Sequence, residues 1–464
     1  MNKTKIVCSI GPSSSQIDVL EQMLDAGMNV ARFNMSHGTH ESHKVMIDNC
    51  KTARANKNMP LAIMIDTKGP EIRIKQFKKG SINLKQGQEF VLTTNEVVGD
   101  TTKVSVTYKN LPQILVKGSK ILLNDGNIEL QVEKITKADV FCTVVVGGEL
   151  SNNKSINLPG INTQMPYLSE QDKKDILFAK QMQADYIAIS FVNGAQDVKD
   201  IKKYLKEISF QPKIISKIES EEGVKNFDKI LKVSDGIMVA RGDLGVEIDF
   251  VKIPILQKQF IEKCNQEGKI VITATQMLES MITHPRPTRA EISDVANAIL
   301  DGTTAIMLSG ETASGKYPVK TIETMRRIAL ETENYTSISS TTIKTHDNSQ
   351  SIGYAVYALS QTDNVKAIVA LTQSGKTAEN ISKFRPSLPI IACTPCENVY
   401  HKLSMLYGVY PILDDSYNKI EDASKNSLKK AIDSKIVKKG DKIALVSGLV
   451  AQKSGSNLML IKKL

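Results

Sequence analysis

Several short stretches of this sequence carry charged or hydroxyl side chains two residues apart, the spacing that puts them on one face of a β-strand. Arg32, Asn34 and Ser36 are so spaced in Ala31-Arg32-Phe33-Asn34-Met35-Ser36-His37-Gly38, as are Lys217 and Glu219 in Ser216-Lys217-Ile218-Glu219-Ser220. Asp66 and Thr67 close another apolar run and open Lys68-Gly69-Pro70-Glu71-Ile72-Arg73, while Gly242 and Asp243 follow a further one in Ala240-Arg241-Gly242-Asp243-Leu244-Gly245. Oxygen ligands converging from adjacent strands suit a hard cation, and two carboxylates on neighbouring strands can share a divalent metal. Lys217 beside Glu219 is either a buried ion pair or a cation facing an anionic substrate, and charged pairs inside a sheet are unusual without a task. The Gly242-Asp243 turn opens a helix, where backbone N–H groups attract anions. Thr275, in Thr273-Ala274-Thr275-Gln276-Met277, is uninformative alone because threonine is a routine strand former.

These residues fall at the ends of eight β-branched runs: Lys5 to Ile10, Asn29 to Met35, Leu61 to Asp66, Tyr186 to Phe191, Lys213 to Glu219, Gly236 to Ala240, Ile270 to Gln276 and Ala305 to Ser309. Most are followed by a turn and a helical pattern, the signature of parallel βα units, and eight is the number that closes a (β/α)₈ TIM barrel. Reacting groups in such a barrel come from the C-terminal strand ends. About 120 residues separate the third run from the fourth, where roughly 25 to 35 would hold one helix and its turns. Residues 75 to 160 carry short alternating runs and turn signals, which predicts a small all-β module, a lid on the catalytic end of the barrel.

A Ser- and Thr-rich stretch from Ser337 to Ser351 reads as a linker. Beyond it, runs at Lys366 to Thr372, Pro389 to Thr394, Val409 to Leu413, Lys442 to Ser447 and Leu458 to Lys462 alternate with helical patterns at Gly353 to Ser360 and Ile420 to Ile432. An open, mostly parallel sheet follows. The expected division is 1–70 with 164–340 for the barrel, 71–163 for the β-rich lid and 346–464 for the C-terminal α/β domain.

Composition narrows the partners. With 464 residues, 41% hydrophobic and 24% charged, the chain is an ordinary multidomain globular protein. Six scattered cysteines are too few for a disulfide framework and fit a cytoplasmic address, and no apolar stretch is long enough for a signal-peptide core or a membrane span. Sixty basic against fifty acidic residues give a net charge of +10. The lysines are dispersed, tryptophan is absent and no basic run alternates with aromatics, so an anionic metabolite is a better partner than nucleic acid or a membrane.

The motifs resemble, in sequence order, those of the bacterial-type pyruvate kinase family: Thr4-Lys5-Ile6-Val7-Cys8-Ser9-Ile10-Gly11-Pro12-Ser13-Ser14, Arg32 to Gly38, Asp66 to Arg73, Met238 to Gly245, Ala274 to Met281, and Met307-Leu308-Ser309-Gly310-Glu311-Thr312. The resemblance covers all three segments and implies phosphoryl transfer from phosphoenolpyruvate to ADP. By it, Lys217 stabilises the transferring phosphoryl, Arg32 grips the substrate phosphate, and Glu219 and Asp243 hold Mg²⁺ or Mn²⁺. Gly242, Asp243 and Thr275 bind the substrate carboxylate, with Thr275 near the carbon that is protonated. Asn34, Ser36, Asp66 and Thr67 match K⁺ ligands, and Glu71 matches a position linked to K⁺ dependence. Arg73, His37 and Lys154 match nucleotide contacts, although Ser155 stands where glycine is usual. Thr372, Ser374, Gly375, Lys376 and Thr377, completed by a loop from Ser447 to Asn457, match a site for an allosteric sugar phosphate, with Lys376 where arginine is common. A homotetramer is also implied.

Other patterns stay outside this reading. The segment before Gly375 lacks the first glycine of a Walker loop, Ala370 standing in its place. Cys393-Thr394-Pro395-Cys396 lacks the second ligand pair of a zinc site, and His37, His40 and His43 straddle a strand end. Thr288-Arg289-Ala290-Glu291 reads as a helix capping box. The competing classes are a barrel enzyme acting on another phosphorylated metabolite, which would keep the metal-binding residues and which a substrate panel would expose, and a noncatalytic sensor, against which Lys217, Glu219 and Asp243 together argue.

Overall fold

The computed structural model describes residues 2–161, 163, 165–335, 345, 347–362, 365–414, 420–448 and 456–464. Eight parallel strands close a barrel: β1 (Lys5–Ser9), β2 (Val30–Asn34), β3 (Ala62–Asp66), β4 (Tyr186–Ile189), β5 (Lys213–Ile218), β6 (Gly236–Ala240), β7 (Ile270–Ala274) and β8 (Ala305–Leu308), with β8 paired back onto β1. All eight predicted runs are present. Several are shorter than expected, because residues such as Phe191 and Gln276 already adopt left-handed backbone, each with φ of 53°.

Alternation along the strands divides the packing in two. Val7, Val30, Met64, Ala188, Ile215, Met238 and Ile272 fill the barrel interior, whereas Ile6, Cys8, Phe33, Ile63, Ile65 and Ile187 face outward onto the helices. The inner face of β2 therefore runs Val30, Arg32, Asn34, that of β3 Ala62, Met64, Asp66, and that of β5 Ile215, Lys217. Register completes the placement, since Asn34 pairs with Asp66 and Ala188 also pairs with Asp66.

The insertion between β3 and the helix Glu170–Gln181 holds a seven-stranded sheet and a separate two-stranded one. The edges of the larger sheet meet through an Ile74–Val106 bridge, with Lys75 N–H donating to Ser105 O and Thr107 N–H to Arg73 O, so the sheet curls back on itself. Its apolar side chains, Phe90, Leu92, Leu123, Leu130 and Val140 among them, form a core of their own.

The C-terminal sheet has β9 (Ala367–Leu371), β10 (Ile390–Thr394), β11 (Val409–Leu413), β12 (Lys442–Ser447) and β13 (Leu458–Lys463) in the order β11-β10-β9-β12-β13, parallel except for β13. The first helix of this region runs Asn348–Ser360, earlier than the Gly353 start expected, because the Asp347 carboxylate caps it by accepting from Gln350 N–H. Most of the predicted linker, and residues 449–455 of the late loop, lie outside the described residues. No helix among the described residues is long and apolar enough to cross a membrane.

The segment between β10 and β11 seals the barrel's N-terminal end. Met405 joins the interior apolar cluster, Tyr186 hydroxyl donates to Lys402 O at 2.8 Å, Ser404 hydroxyl to Asn29 O at 2.9 Å, and Lys5 Nζ to Val409 O at 2.6 Å. Leu61 N–H donates to His401 Nδ1 at 3.3 Å. Burial, with help from Arg54 and Lys51, pushes the His401 pKa down to about 3. His401 is thus neutral in the folded chain, and the unfolded chain takes up its proton first as pH falls. Its contribution is complete above the ordinary histidine pKa of about 6.5 and is lost as pH falls toward 3. The thermal midpoint of the native chain should therefore drop between pH 6.5 and 4 more steeply than that of His401→Gln; parallel slopes would refute this role.

Candidate active site

A cleft of about 350 Å³ opens at the C-terminal end of the barrel, between the strand ends and the insertion. Arg32, Asn34, Ser36, Lys217, Glu219 and Asp243 line it from the barrel, and Arg73 and Lys154 from the insertion. His37 also faces it. Asp66 and Thr67 are buried behind this lining.

Its centre is a buried cluster of two cations and two carboxylates. Arg32 Nε and Nη2 lie 2.7 and 2.6 Å from Asp66 Oδ2, and Arg32 Nη1 donates to Ser9 hydroxyl at 2.7 Å. Lys217 Nζ reaches Asp66 Oδ1 at 3.2 Å, Glu219 Oε1 at 2.9 Å and Ser190 hydroxyl at 2.7 Å. Burial alone would lower the Lys217 pKa, but Asp66 and Glu219 outweigh it and hold the ammonium charged. Burial likewise opposes ionisation of Asp66, yet Lys217 and Arg32 keep its carboxyl below the ordinary range.

Glu219 is the member left short of positive charge. Burial raises its pKa against the pull of Lys217, and Asp243 and Asp66 add to the rise. Glu219 Oε2 accepts from Phe191 N–H at 2.7 Å, whereas the buried Oε1 has no hydrogen bond of good geometry despite its closeness to Lys217. An under-neutralised carboxylate facing a second one, Asp243, in a cleft is an arrangement that a hard divalent cation fits. No group of three or more His, Cys, Asp or Glu among the described residues is arranged to hold a metal.

The turn after β7 is strained. Thr275 and Gln276 have φ of 66° and 53°, conformations uncommon for residues other than glycine. Arg241 holds them there: its guanidinium donates to Ala274 O at 3.3 Å, Thr275 O at 2.6 Å and Gln276 O at 3.2 Å, and pairs with both oxygens of Asp294. Thr275 hydroxyl accepts from Gly242 N–H at 2.8 Å and donates to Ala274 O at 2.6 Å. Gly242 and Thr275 are thus in direct contact, at the start of the helix Arg241–Glu247 that carries Asp243.

On the insertion side, Glu71 Oε2 takes both Arg73 Nε and Nη2 at 2.8 Å. Ser155 pairs with Arg73 in the sheet and donates its hydroxyl to Asp125 at 3.1 Å, which keeps Lys154 at the cleft without glycine beside it. Burial and the Arg73 guanidinium lower the His37 pKa. The other histidines of that motif have separate partners, His40 with Asp175 at 2.7 Å and His43 with His37 O at 2.6 Å. Glu291 completes the expected capping box with Thr288 and also accepts from Ser280. Cys393 is buried in β10 and Cys396 is exposed beyond it.

The residues at 372–377 are elsewhere, after β9. Thr372 hydroxyl accepts from Gly375 N–H at 2.9 Å, Gly375 has φ of 87°, and Lys376 and Thr377 open the helix Lys376–Ser382, with Ser374 and Lys376 exposed. Ser456 hydroxyl donates to Thr377 hydroxyl at 2.8 Å, so the late loop returns to this turn.

The sequence motifs do not single out Ser190 and give Arg241 no role. Ser190 was legible by the same alternation that picked out Arg32 and Asn34, since Tyr186, Ala188 and Ser190 share the inner face of β4 and its extension. Nothing local in the sequence signals that Arg241 reaches across to the turn after β7.

Comparison with known proteins matches this architecture. Residues 1–322 match the family described as pyruvate kinase, barrel domain, and residues 350–462 that described as pyruvate kinase, alpha/beta domain. The chain is 47% identical over 470 residues to the pyruvate kinase of Sporosarcina psychrophila and 46% identical over 467 residues to that of Staphylococcus aureus strain MRSA252. Each alignment covers 99% of this chain and 80% of the relative. The crystal structure of a pyruvate kinase from Cryptosporidium parvum superposes with a TM-score of 0.92 at 40% identity, covering 100% of this chain and 96% of that one. With the barrel, the curled insertion and the C-terminal sheet in the same order, this chain belongs to the pyruvate kinase family of phosphotransferases.

Proposed function

We propose that the cleft transfers the phosphoryl group of phosphoenolpyruvate to ADP, giving pyruvate and ATP, the last step of glycolysis, in the cytoplasm. The observation that carries the residue roles is Lys217, a buried ammonium held charged by two carboxylates where barrel and insertion meet. Phosphoryl transfer asks for positioning and for cations around the moving group rather than for covalent catalysis. Lys217 donates to the phosphoryl as it crosses. Arg32 spends one N–H from each guanidinium nitrogen on Asp66 and Ser9, which leaves one on each terminal nitrogen for the substrate phosphate.

Gly242 N–H, the start of the Asp243 helix and Thr275 take the substrate carboxylate, exchanging the Gly242–Thr275 hydrogen bond for bonds to substrate. Thr275 hydroxyl is too weak an acid to protonate the enolate carbon alone, so it orients a water that relays the proton. Arg73, His37 and Lys154 take the ADP phosphates, and closure of the insertion over the cleft excludes water. Glu219 and Asp243 would hold Mg²⁺ or Mn²⁺, and the oxygens of Asn34, Ser36, Asp66 and Thr67 would hold K⁺; when bound, these ions supply the remaining neutralisation of phosphoryl charge. Apolar clusters within the barrel, the insertion and the C-terminal sheet support domains at 1–70 with 164–340, 71–163 and 346–464, with Met405 reaching across the last boundary into the barrel interior. The turn at Thr372, Ser374, Gly375, Lys376 and Thr377 is assigned to a sugar-phosphate effector, supported by its helix start and by the return of Ser456. A homotetramer is the assembly consistent with this reading.

Pyruvate formation from phosphoenolpyruvate, ADP and Mg²⁺ tests the reaction. Lys217→Met should lower turnover by at least about a thousandfold, on the order of 4 kcal/mol of transition-state stabilisation, while the folded spectrum persists. A variant that keeps most of the native turnover would overturn the role of Lys217. Replacing K⁺ by a large organic cation should abolish most turnover; full activity in its absence would remove Glu71 and the four oxygen ligands from the account.

A further inference from the structure

Ser190 sits where three parts of the site meet. It follows β4, is 3% exposed, and its hydroxyl accepts from Lys217 Nζ at 2.7 Å. The same hydroxyl lies 2.8 Å from Thr67 O and 3.3 Å from Asp66 Oδ1, and the shorter of these is the geometry for its single proton. With the proton on Thr67 O, its lone pairs face the lysine. The residue cannot drift. Tyr167 hydroxyl donates to Ser190 O at 2.8 Å, and the chain leaving the barrel passes so close that a Cβ on Gly69 would come within 2.9 Å of Ser190 O and 3.0 Å of its Cβ. Gly69, at φ of 71°, also has its N–H fixed by the Asp172 carboxylate at 3.0 Å.

Of the three partners of Lys217, only the Ser190 hydroxyl makes a hydrogen bond of good geometry to its ammonium, which leaves protons for the phosphoryl. Asp66 and Glu219 attract it by charge, a pull that varies slowly with direction. The neutral hydroxyl, oriented by Thr67 O and immobilised by Tyr167 and Gly69, supplies a directional anchor. We propose that Ser190 is a positioning residue that fixes the Lys217 ammonium at the phosphoryl path, and that its hydroxyl, rather than its bulk, does so. This inference rests on the role assigned to Lys217 above. Misplacing a reacting group by about 1 Å can cost on the order of a hundredfold in rate. Arg32, Gly242 and Arg73 hydrogen-bond to groups other than the Ser190 hydroxyl.

The test is steady-state kinetics of Ser190→Ala and Ser190→Thr beside Lys217→Met, with thermal midpoints for all. Ser190→Ala should lower kcat by about ten- to a hundredfold and leave KM for phosphoenolpyruvate and for ADP within about threefold. Ser190→Thr, which keeps the hydroxyl, should recover most of kcat. Ser190→Cys, similar in size but a weak hydrogen-bond partner, should behave as Ser190→Ala and serves in its place if the alanine variant does not fold. Native kcat in Ser190→Ala, a KM effect at unchanged kcat, or a threonine variant as slow as alanine at equal thermal midpoint would each overturn the proposal. An inactive Lys217→Met beside a fully active Ser190→Ala would reject Ser190 alone, whereas an active Lys217→Met would reject the role of Lys217 itself.

Discussion

Everything at the mouth of this barrel depends on keeping four ionised or ionisable groups, Arg32, Asp66, Lys217 and Glu219, together out of water. Taking such charges out of solvent is costly, and the cost is offset only where geometry pairs each one closely. Here Asp66 bridges both cations, with Arg32 on one carboxylate oxygen and Lys217 on the other. The cluster is nevertheless unevenly neutralised. Asp66 is held ionised by two cations, while Glu219 shares one lysine and faces Asp243. That imbalance directs the site's remaining electrostatic demand toward the open cleft, where the proposed cation and anionic substrate would complete it.

The barrel meets this demand through register. β2, β3 and β5 each end with a polar residue on the face that holds aliphatic side chains one layer below. The same closed sheet that excludes water beneath the cluster therefore presents it upward. A one-residue slip in β3 would turn Asp66 outward among the helices and leave Arg32 and Lys217 without their shared partner. At the opposite end, Met405, Tyr186, Lys5 and His401 seal the barrel against the C-terminal sheet. The two ends of the barrel thus differ: one carries the buried charge cluster, and the other joins the barrel to the segment bearing the Thr372–Thr377 turn.

Backbone strain marks the part of the site that local propensity does not favour. Thr275 and Gln276 are held in left-handed conformations by a single guanidinium spanning three carbonyls. Arg241 is also the first residue of the Gly242–Asp243 helix, so one side chain locks the turn after β7 to the helix after β6. The chain's exit from the barrel toward the insertion is fixed in a comparable way, through Gly69 pressed on Ser190 and tied to Asp172.

Much of this was legible in the residues alone. The eight runs, the oversized gap after the third, the resumed βα rhythm near the C-terminus and the polar residues at strand ends follow from periodicity, which is a local property of the chain. The sequence motifs likewise carried the family resemblance. What periodicity could not supply was the set of partners. Asp66 as a bridge between Arg32 and Lys217, Ser190 beneath the lysine, Arg241 across the strained turn and Met405 in the barrel floor all join positions far apart in the chain. Those contacts exist only once strand order and register are fixed, because an ion pair or hydrogen bond depends on distances of a few ångströms that sequence separation does not encode. Residue type and spacing thus determined which groups are available for chemistry; the closed barrel decided which of them share a charge.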